Sequence, residues 1–326
     1  MEIISPVTEK ILALSMLKGV GPVALRKVSA LPGFDTASID SLAKQLSQID
    51  KALSHDSAWD DAQELAGQQV EQAKANSARI ISSHDQDYPS LLKGTRDDPF
   101  ILYVKGTLAP SPEKSVAIIG TREPTRHGGM IATRITSFFV DHGWSIVSGL
   151  ALGCDSIAHR AALKYGGHTV AVLAHGLQTV SPSSHRQLAD DILQSGGALV
   201  SEYAFGLKAQ PQFFVKRDRT QAGLAQGVVM VQSDIKGGSL YASRAALDYS
   251  RWLAVPYPTE DDISTSEPKI QANLLISDGD LNQKLDLLRC SKDKIERVVI
   301  LRGKNDYPQL VELANASSAP RSGFSF

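Results

Sequence analysis

The sequence predicts an α/β fold, in which a doubly wound and mostly parallel sheet follows a helical N-terminal domain. Three observations support this prediction. From Ser115 onward, short apolar runs alternate with helix-like stretches, an order that gives a parallel sheet with helices on both faces. Glycine and polar residues follow the apolar runs, at the edge where α/β folds place their ligands. Before residue 77, apolar residues recur at helical spacing.

The stretch from Ser115 to Gly129 organises the chain. Its apolar run Val116–Ile119 is too short for a helix and is bounded by turn-forming residues, so it predicts a buried strand. The run stops at Gly120, and a polar loop with Arg122 leads to a helical pattern from Met130. Backbone N–H groups and the helix dipole favour an anion at such a junction, and an arginine suits phosphate oxygens. The alternative is an ordinary strand-to-helix turn with a solvated arginine, since the G-x-G-x-x-G dinucleotide fingerprint is absent.

The composition is that of a globular chain of 326 residues, 42% hydrophobic and 21% charged, long enough for two domains. A formal net charge of −1 restricts any nucleic-acid surface to a local patch. The two cysteines, Cys154 and Cys290, match no metal spacing and no disulfide framework. No apolar run approaches the roughly 20 residues of a membrane-spanning helix, and the N-terminus lacks the features of a secretory signal. We therefore expect a cytoplasmic protein without a membrane partner or a metal.

Residues 1–76 predict a helical domain. Within it, Leu17–Leu31 has two glycines in a turn followed by a helix and resembles a helix-hairpin-helix motif. In that motif the glycines let backbone N–H groups approach a DNA phosphate closely. Lys18, Arg26 and Lys27 fit this interpretation. The alternative is a plain αα-hairpin whose glycines only allow a tight turn.

Short apolar runs bounded by turn-forming residues predict the strands of a core domain over residues 77–290. Residues 291–326 form a C-terminal tail with one apolar run, Val298–Leu301, and we expect this tail to be loose. The predicted strands are Ala78–Ser82, Phe100–Val104, Val116–Ile119, Trp144–Val147, Thr169–Leu173, Ala198–Val200, Gly227–Val231 and Trp252–Val255.

Candidate phosphate contacts follow several of these strands. Gly149 and Gly153 precede Asp155, which can cap the next helix, and Gly238 with Ser239 leads another helix. A basic and aromatic cluster suits a single strand of nucleic acid, because bases stack on aromatic rings while phosphates pair with cations. The alternative is that its phenylalanines are core residues and its lysines a solvated face. The cluster comprises Phe205, Lys208, Phe213, Phe214, Lys216, Arg217 and Arg219.

Three residues invite a catalytic interpretation that the sequence does not favour. A histidine on a helix, such as His159, belongs to a packed core more often than to a catalytic site. Glu202 follows a strand, but no second carboxylate stands at a spacing that suggests two-carboxylate hydrolysis. Cys154 fits a small buried residue better than a nucleophile. We therefore expect no enzyme activity.

Long motifs make the chain similar to the DNA-processing protein A (Smf) family. In order, they are VAIIGTREPT, IVSGLALGCDSIAHRAAL, GGHTVAVLAHGL, LVSEYAFG, FFVKRDRTQAGLAQGVVMVQ and GGSLYASRAAL, and they span about Ser115 to Pro256. The resemblance implies an extended Rossmann-like fold behind a SAM-like N-terminal domain. It also implies single-stranded DNA binding, homodimerisation and delivery of RecA onto incoming DNA, without catalysis or a cofactor.

The chain departs from the family pattern at three places. Asp218 stands between two arginines where the family usually has asparagine, and a carboxylate there partly neutralises them. Gln232 stands where a glutamate usually follows the fifth core strand. Ser181 and His185 stand where tyrosine and asparagine are usual. The departures affect the predicted DNA site more than the predicted fold.

The leading hypothesis is a non-catalytic single-stranded DNA-binding protein that protects DNA and loads RecA, paired as a homodimer through an apolar helix face such as Ala242–Leu247. The alternatives are a Rossmann-fold binder of nucleotide-derived ligands, a LOG-like nucleotide hydrolase, and a scaffold in a DNA-modification or defence system. The predicted nucleic-acid or phosphate contacts are Gly120, Thr121, Arg122, Ser148, Gly149, Gly153, Asp155, Lys208, Phe214, Lys216, Arg217, Arg219, Gly238 and Ser239.

Overall fold

Within residues 2–318, which the computed structural model describes, nine strands form one sheet. They are β1 (Ala78–Ser82), β2 (Ile101–Gly106), β3 (Ser115–Ile119), β4 (Ser145–Ser148), β5 (Thr169–Leu173), β6 (Ala198–Ser201), β7 (Gly227–Met230), β8 (Trp252–Pro256) and β9 (Val298–Leu301). Their order across the sheet is β1-β2-β6-β5-β4-β3-β7-β8-β9. The pairs β1–β2 and β2–β6 are antiparallel and the other pairs are parallel. The predicted mostly parallel α/β sheet is confirmed.

The direction in which the sheet grows reverses at β3. The chain adds β4, β5 and β6 on one side of β3, and then crosses back to add β7, β8 and β9 on the other side. Ala117 in β3 pairs with Val147 of β4 and with Val228 of β7, and all three residues are buried. Doubly wound folds bind ligands at such a switch point, beyond the carboxyl ends of the strands.

Helices precede the sheet and cover both of its faces. Val116 and Ile118 of β3 pack in one apolar cluster, while Ala117 and Ile119 pack in another. Because successive side chains of a strand point to opposite faces, the two clusters lie on opposite sides of the sheet. The helices are α1 (Pro6–Met16), α2 (Pro22–Ser29), α3 (Ile39–Gln45), α4 (Ser47–Ala52), α5 (Ala58–Ala75), α6 (Ser90–Lys93), α7 (Arg126–Asp141), α8 (Cys154–Lys164), α9 (Arg186–Gln194), α10 (Pro211–Gly223), α11 (Ser239–Asp248), α12 (Glu260–Ser264), α13 (Gln271–Asp278), α14 (Leu281–Leu288), α15 (Lys292–Ile295) and α16 (Pro308–Ser318).

The helices before β1 form the predicted N-terminal helical region and share an apolar core with part of the sheet. The side chain of Ser5 caps α1 by accepting a hydrogen bond from the Thr8 N–H at 3.3 Å. Ile11 of α1 belongs to the same buried cluster as Ile80 of β1. The backbone N–H of Ile80 also donates to the carbonyl of Ile3 at 2.8 Å. The helical region is therefore joined to the edge of the sheet by packing and by a hydrogen bond.

The helix after β3 begins earlier than the sequence pattern predicts. Helix α7 starts at Arg126 rather than at Met130. Thr125 is its N-cap and accepts a hydrogen bond from the Gly128 N–H at 3.0 Å. This cap satisfies a terminal backbone donor and so stabilises a first turn that contains two glycines of low helix propensity.

The expectation of a loose C-terminal tail is wrong over most of the residues that the structure describes there. Strand β9 pairs in parallel with β8, so the sheet extends beyond residue 290. Tyr307, Leu310 and Ala314 are then buried in the apolar cluster beside β3 and β8. A single apolar run in a polar tail does not by itself predict a strand, but Val298–Leu301 forms one because β8 supplies it with hydrogen-bonding partners. The last eight residues of the tail, 319–326, lie outside the described part of the chain.

The apolar face of α11 is not a free dimerisation surface. Ala242 and Leu247 are 1% and 0% exposed, because this face packs within the chain against β7, β8 and their neighbours. The suggestion that the face over Ala242–Leu247 joins two subunits is therefore wrong. None of the described helices is long and apolar enough to cross a membrane.

Candidate nucleic-acid interface

A crevice of about 410 Å³ opens at the switch point between β3 and β7. Its walls come from the loop after β3, the loop after β7, the start of α8, one face of α10 and the first turn of α11. Parallel strands and glycine-led helices converge there, as the sequence predicted. Eight predicted contacts line it: Gly120, Thr121, Arg122, Asp155, Phe214, Arg217, Gly238 and Ser239.

The backbone of the loop after β3 is fixed on two sides. The Thr121 N–H donates to the Gln232 carbonyl at 2.8 Å, and the Thr121 carbonyl accepts from the Cys154 N–H at 3.1 Å. Gly153 caps α8 with a φ of 76° and lies against the backbone of Thr121 and Arg122, where a Cβ would clash. These contacts hold the loop while leaving the Arg122 side chain outside the core.

Arg122 presents an available cation to the crevice. Its side chain is exposed, and no carboxylate among the described residues lies within ion-pair distance of its guanidinium. The guanidinium carbon lies 5.5 Å from the centre of the Phe214 ring, and that of Arg217 lies 5.8 Å from the same ring. Phe214 therefore holds two guanidinium groups near one wall of the crevice.

Arg217 lines the crevice but is largely buried and paired within the protein. Its Nη1 lies 3.5 Å from Asp155 Oδ2, and the two side chains are 5% and 8% exposed. Asp155 Oδ2 also accepts hydrogen bonds from the N–H groups of Gly149 at 3.2 Å and Ala151 at 3.4 Å. Asp155 thus holds the loop before α8 instead of capping the helix, a role that Gly153 takes. Gly149 leaves room for Arg217, because a Cβ there would overlap the guanidinium.

Asp218 adds a second carboxylate to the same wall. Its Oδ1 accepts a hydrogen bond from the Gln221 amide at 3.0 Å and lies 3.3 Å from Arg217 Nε. Burial is the main reason why the pKa of Asp218 is raised, to about 7, while Arg217 opposes that shift. Burial likewise raises the pKa of Asp155, against the effect of Arg217.

The first turn of α11 closes the crevice with backbone donors. The N–H groups of Gly238 and Ser239 have no hydrogen-bond acceptor among the described residues. The Ser239 hydroxyl donates to the Ser233 hydroxyl at 2.7 Å, so the side chain does not cap its own helix. Free N–H groups at a helix N-terminus attract anions.

Three of the predicted cations lie outside the crevice. Lys216 and Arg219 project from the side of α10 opposite Phe214 and Arg217, because residues two apart on a helix point in nearly opposite directions. Lys216 Nζ lies 3.8 Å from Glu202, and Arg219 Nη1 donates to Asp97 at 3.2 Å. Arg217 and Arg219 therefore do not form one phosphate clamp around Asp218. Lys208 is exposed in the loop before α10.

Only one of the three predicted aromatic residues reaches the crevice. Phe205 is 6% exposed and packs edge-on against Tyr103, at 5.5 Å between ring centres. Phe213 stacks on Tyr203 at 4.2 Å. Ser148, another predicted contact, is fully buried and donates to the Ile118 carbonyl at 2.6 Å. Phe205, Phe213 and Ser148 do not line the crevice.

Gln232 organises the entrance loop through its amide group. Its Nε2 donates to Thr125 Oγ1 at 2.9 Å and to Asp262 Oδ2 at 3.2 Å, while its Oε1 accepts from the Thr125 N–H at 3.0 Å. Asp262 Oδ2 also accepts from Thr125 Oγ1 at 3.1 Å, so the amide of Gln232 supplies a second donor, which an ionised carboxylate at this position would not. His185 is buried and bonded to the Leu150 carbonyl at 2.8 Å, so it offers no ring for stacking.

None of the three residues considered for catalysis lines the crevice. His159 is fully buried with its Nδ1 2.8 Å from Thr169 Oγ1, and burial lowers its pKa to about 3. Burial also raises the pKa of the Cys154 thiol. Glu202 is paired with Lys216, away from the crevice. Among residues 2–318, no three His, Cys, Asp or Glu side chains are grouped as metal ligands would be.

Several crevice residues were not singled out from the sequence. Ser233, Asp234 and Gly237 come from the loop after β7, and Tyr241 and Gln221 come from the flanking helices. The position of this loop could have identified it, because it follows a strand in the same way as the loop that contains Arg122. Nothing in the sequence marked Gln221.

The doubly wound sheet, with a crevice at its switch point, defines a Rossmann-like fold with a candidate ligand site. Residues 79–280 match the family model for DNA recombination-mediator protein A. Because this match covers more than half of the chain, the chain belongs to that family.

Curated relatives agree with this assignment. Protein Smf of Escherichia coli is 36% identical over 55% of this chain and 48% of the relative. Protein Smf of Synechocystis is 30% identical over 74% of this chain and 62% of the relative. DNA processing protein DprA of Bacillus subtilis is 38% identical over 54% of this chain and 60% of the relative. The matches thus span about half to three fifths of the length of these relatives.

Solved structures show a similar fold. DNA processing protein A of Streptococcus pneumoniae matches with a TM-score of 0.68 and 22% identity, covering 95% of this chain and 98% of that chain. DNA processing protein A of Helicobacter pylori, whose structure describes its single-stranded DNA binding mode, matches with a TM-score of 0.57 and 26% identity. That match covers 71% of this chain and 99% of the Helicobacter chain.

Proposed function

We propose that this chain binds single-stranded DNA and that the crevice between β3 and β7 takes one backbone phosphate with its nucleotide. Membership of the DNA recombination-mediator protein A family supports the proposal, as does the likeness to a Helicobacter pylori protein with a single-stranded DNA binding mode. We further propose that the chain protects the strand without catalysis, acts as a homodimer and delivers RecA in DNA uptake or recombination. These finer proposals rest on the family alone.

The observation that carries the DNA proposal is the environment of Arg122. Its guanidinium is exposed, has no carboxylate partner in the described part of the chain, and stacks on Phe214. It shares the crevice with the free N–H groups of Gly238 and Ser239. A fixed cation and a helix N-terminus at one place favour a phosphate, and an aromatic ring beside them suits a nucleobase.

The size of the crevice favours a single strand over a duplex. About 410 Å³ is at the lower end of the range for small-molecule sites, so it accommodates about one nucleotide. A base paired within a duplex does not reach such a site unless it is first unstacked. We therefore expect a preference for single strands, little sequence specificity, and an affinity that falls steeply with salt because phosphate contacts release counterions.

The test is the variant Arg122→Ala, measured by fluorescence anisotropy with a rhodamine-labelled oligothymidylate. Loss of a charge-assisted phosphate contact should weaken binding by at least about tenfold. Arg160→Ala is a matched control, because Arg160 is an exposed arginine on α8 that does not line the crevice. It should bind within about twofold of the unchanged protein, apart from a small long-range charge effect. A folded Arg122→Ala protein with unchanged affinity would contradict the proposal.

A free nucleotide is the second candidate ligand, and the same crevice volume favours it, since one nucleotide fills the site without a longer strand. The anisotropy assay separates the two candidates if thymidine monophosphate is added as a competitor. We expect the oligonucleotide to bind more tightly, because further phosphates meet the surface outside the crevice. Tighter binding of the mononucleotide would favour the nucleotide-binding alternative.

A further inference from the structure

Four charged groups meet at the wall of the crevice: the guanidinium groups of Arg122 and Arg217 and the carboxyl groups of Asp155 and Asp218. Their formal charges cancel when both carboxyl groups are ionised. A phosphate brought to Arg122 then adds a negative charge to a site that has no net positive charge. In a partly buried cluster such an imbalance costs more than in bulk water, because the effective dielectric constant is lower. Protonation of one carboxyl group would restore the balance.

Of the two carboxyl groups, Asp218 is the one placed to become neutral. Asp155 Oδ2 has three donors, the N–H groups of Gly149 and Ala151 and the Arg217 Nη1, and such donors favour its ionised form. Asp218 accepts a hydrogen bond from the Gln221 amide and is paired with Arg217 Nε, which forms no hydrogen bond among the described residues. Asp218 is also the more accessible, with 16% of its side chain exposed against 8% for Asp155.

We propose that Asp218 takes up one proton when a phosphate group enters the crevice, so that the DNA affinity of this chain rises as the pH falls through neutrality. The inference rests on the proposed function and concerns the regulation of the same site. In the step itself, one carboxylate oxygen of Asp218 forms an O–H bond with a proton from a hydronium ion, whose own O–H bond breaks to leave water, and no other bond of the protein or the DNA changes. The neutral acid no longer repels the phosphate, and it leaves the positive charge of Arg217 less compensated.

The titration range of Asp218 suits this role. Burial, above all, raises its pKa to about 7; Arg217 lowers the pKa, Asp155 raises it, and Arg122 lowers it. A bound phosphate adds a further negative charge and must raise the pKa again, which is the linkage proposed. By the reciprocity of linkage, affinity falls by up to about tenfold per pH unit above the pKa of the free protein and levels off below it.

Other titratable groups face this cluster from the neighbouring elements. Glu123 lies in the loop after β3, Asp234 in the loop after β7 and Tyr241 on α11. His159 of α8 lies behind Arg217, and burial lowers its pKa to about 3, so it stays neutral above about pH 5. Glu123 is fully exposed and is paired with Lys269 at 2.9 Å, which lowers its pKa. None of these four groups has a hydrogen bond or ion pair with Asp218 among the described residues.

The experiment compares Asp218→Asn with the unchanged protein by anisotropy from about pH 6.5 to about pH 8.5, with an oligothymidylate that has a 5′-hydroxyl and a rhodamine label. Neither the diester phosphates nor the probe should then titrate in this range. The unchanged protein should lose at least about fivefold in affinity across it, since one proton is linked to binding. Asp218→Asn should change by less than about twofold and bind more tightly than the unchanged protein at the alkaline end.

Asp190→Asn is the matched control, because Asp190 is an exposed carboxylate on α9 outside the crevice, and it should retain the full pH response. Calorimetric titration of the unchanged protein in two buffers of different ionisation enthalpy measures the proton uptake directly and needs no variant. An Asp218→Asn protein with the full pH response, or no proton uptake near about pH 7.5, would overturn the inference. If Arg122→Ala still weakens binding, the proposed function survives that result, whereas unchanged binding by Arg122→Ala at every pH would remove both.

Discussion

The crevice and the N-terminal hairpin contain the same kinds of residue but use them differently. Each combines glycine with arginine, and the sequence predicted a phosphate contact at both. In the crevice, Arg122 is exposed and has no acidic partner among the described residues. In the hairpin, Arg26 donates to the Asp98 carbonyl at 3.3 Å, lies 3.5 Å from its carboxylate, and stacks on Phe100 at 5.8 Å. The first arginine is available to a ligand, while the second joins the helical region to the sheet.

The difference lies in acidic partners that are far away in sequence. Asp98 is 72 positions from Arg26, and Asp97 is 122 positions from Arg219. Neither pairing can be predicted from a local sequence pattern. A cluster of cations in a sequence therefore predicts a nucleic-acid surface only for those cations that the fold does not already neutralise.

The largest loss of stability should come from Gly149→Ala, at a glycine that packs against Arg217 in the wall of the crevice. A Cβ at this position would overlap the Arg217 guanidinium and displace it from Asp155. Because both side chains are buried, breaking their pair should lower the free energy of unfolding by about 3–5 kcal/mol. DNA binding should weaken as well, since the same loop holds the wall of the crevice. Urea unfolding followed by circular dichroism measures the first effect and anisotropy the second.

The matched hairpin variant is Gly21→Ala. Gly21 caps α2 with a φ of −113°, and a Cβ there has no heavy atom within 4 Å. We expect the free energy of unfolding to fall by no more than about 1 kcal/mol, because alanine is a poorer helix cap than glycine. Equal losses of stability in the two variants would contradict the view that Gly149 is required to make room for a buried ion pair.

A smaller loss of stability than that of Gly149→Ala is expected from Gln232→Glu at the entrance of the crevice. The change removes one of two side-chain donors to Asp262 Oδ2, the other being Thr125 Oγ1 at 3.1 Å, and places a second carboxylate beside it, at a site where Gln232 is 2% exposed. The free energy of unfolding should fall by about 2 kcal/mol near neutral pH. One of the two carboxyl groups would then have a raised pKa in the folded state, so the folded state binds more protons than the unfolded state and the loss should shrink as the pH falls.

The double variant Gln232→Glu with Asp262→Asn tests the cause of this loss. It exchanges the amide and the carboxylate, so one donor again faces one acceptor, and stability should return at all pH values. Unfolding curves at about pH 8 and about pH 5 are sufficient to compare the variants. Failure of the second change to restore stability would show that Gln232 acts through Thr125 alone.

The sequence was sufficient to predict most of the sheet and the position of the crevice. The bounds of β1 and β5 agree with the predicted runs. Strand β5 is a buried parallel strand, and such strands form continuous apolar segments between turn residues. Strand β1 is an antiparallel edge strand, and turn-forming residues mark its end. The position of the crevice could be predicted from the glycine and polar residues that follow the strands. The roles of Arg217 and Arg219 could not be predicted in this way, because they depend on the helix α10, whose geometry places these two side chains on opposite sides. The partners of Asp218 and Gln232 depend on tertiary contacts that no local pattern encodes.

The smallest change in stability and DNA affinity is expected from Arg26→Ala in the hairpin. This variant is also the sharpest test of the difference between the hairpin and the crevice. Asp98 keeps the Tyr88 hydroxyl and the Phe100 N–H as donors after this change. The Arg26 side chain is 42% exposed, so loss of the pair should lower the free energy of unfolding by only about 1 kcal/mol. DNA affinity should stay within about twofold, whereas Arg122→Ala should lose affinity without losing stability. A stable Arg26→Ala protein with tenfold weaker DNA binding would mean that the hairpin contacts the strand, and that its arginine exchanges Asp98 for a phosphate when DNA arrives.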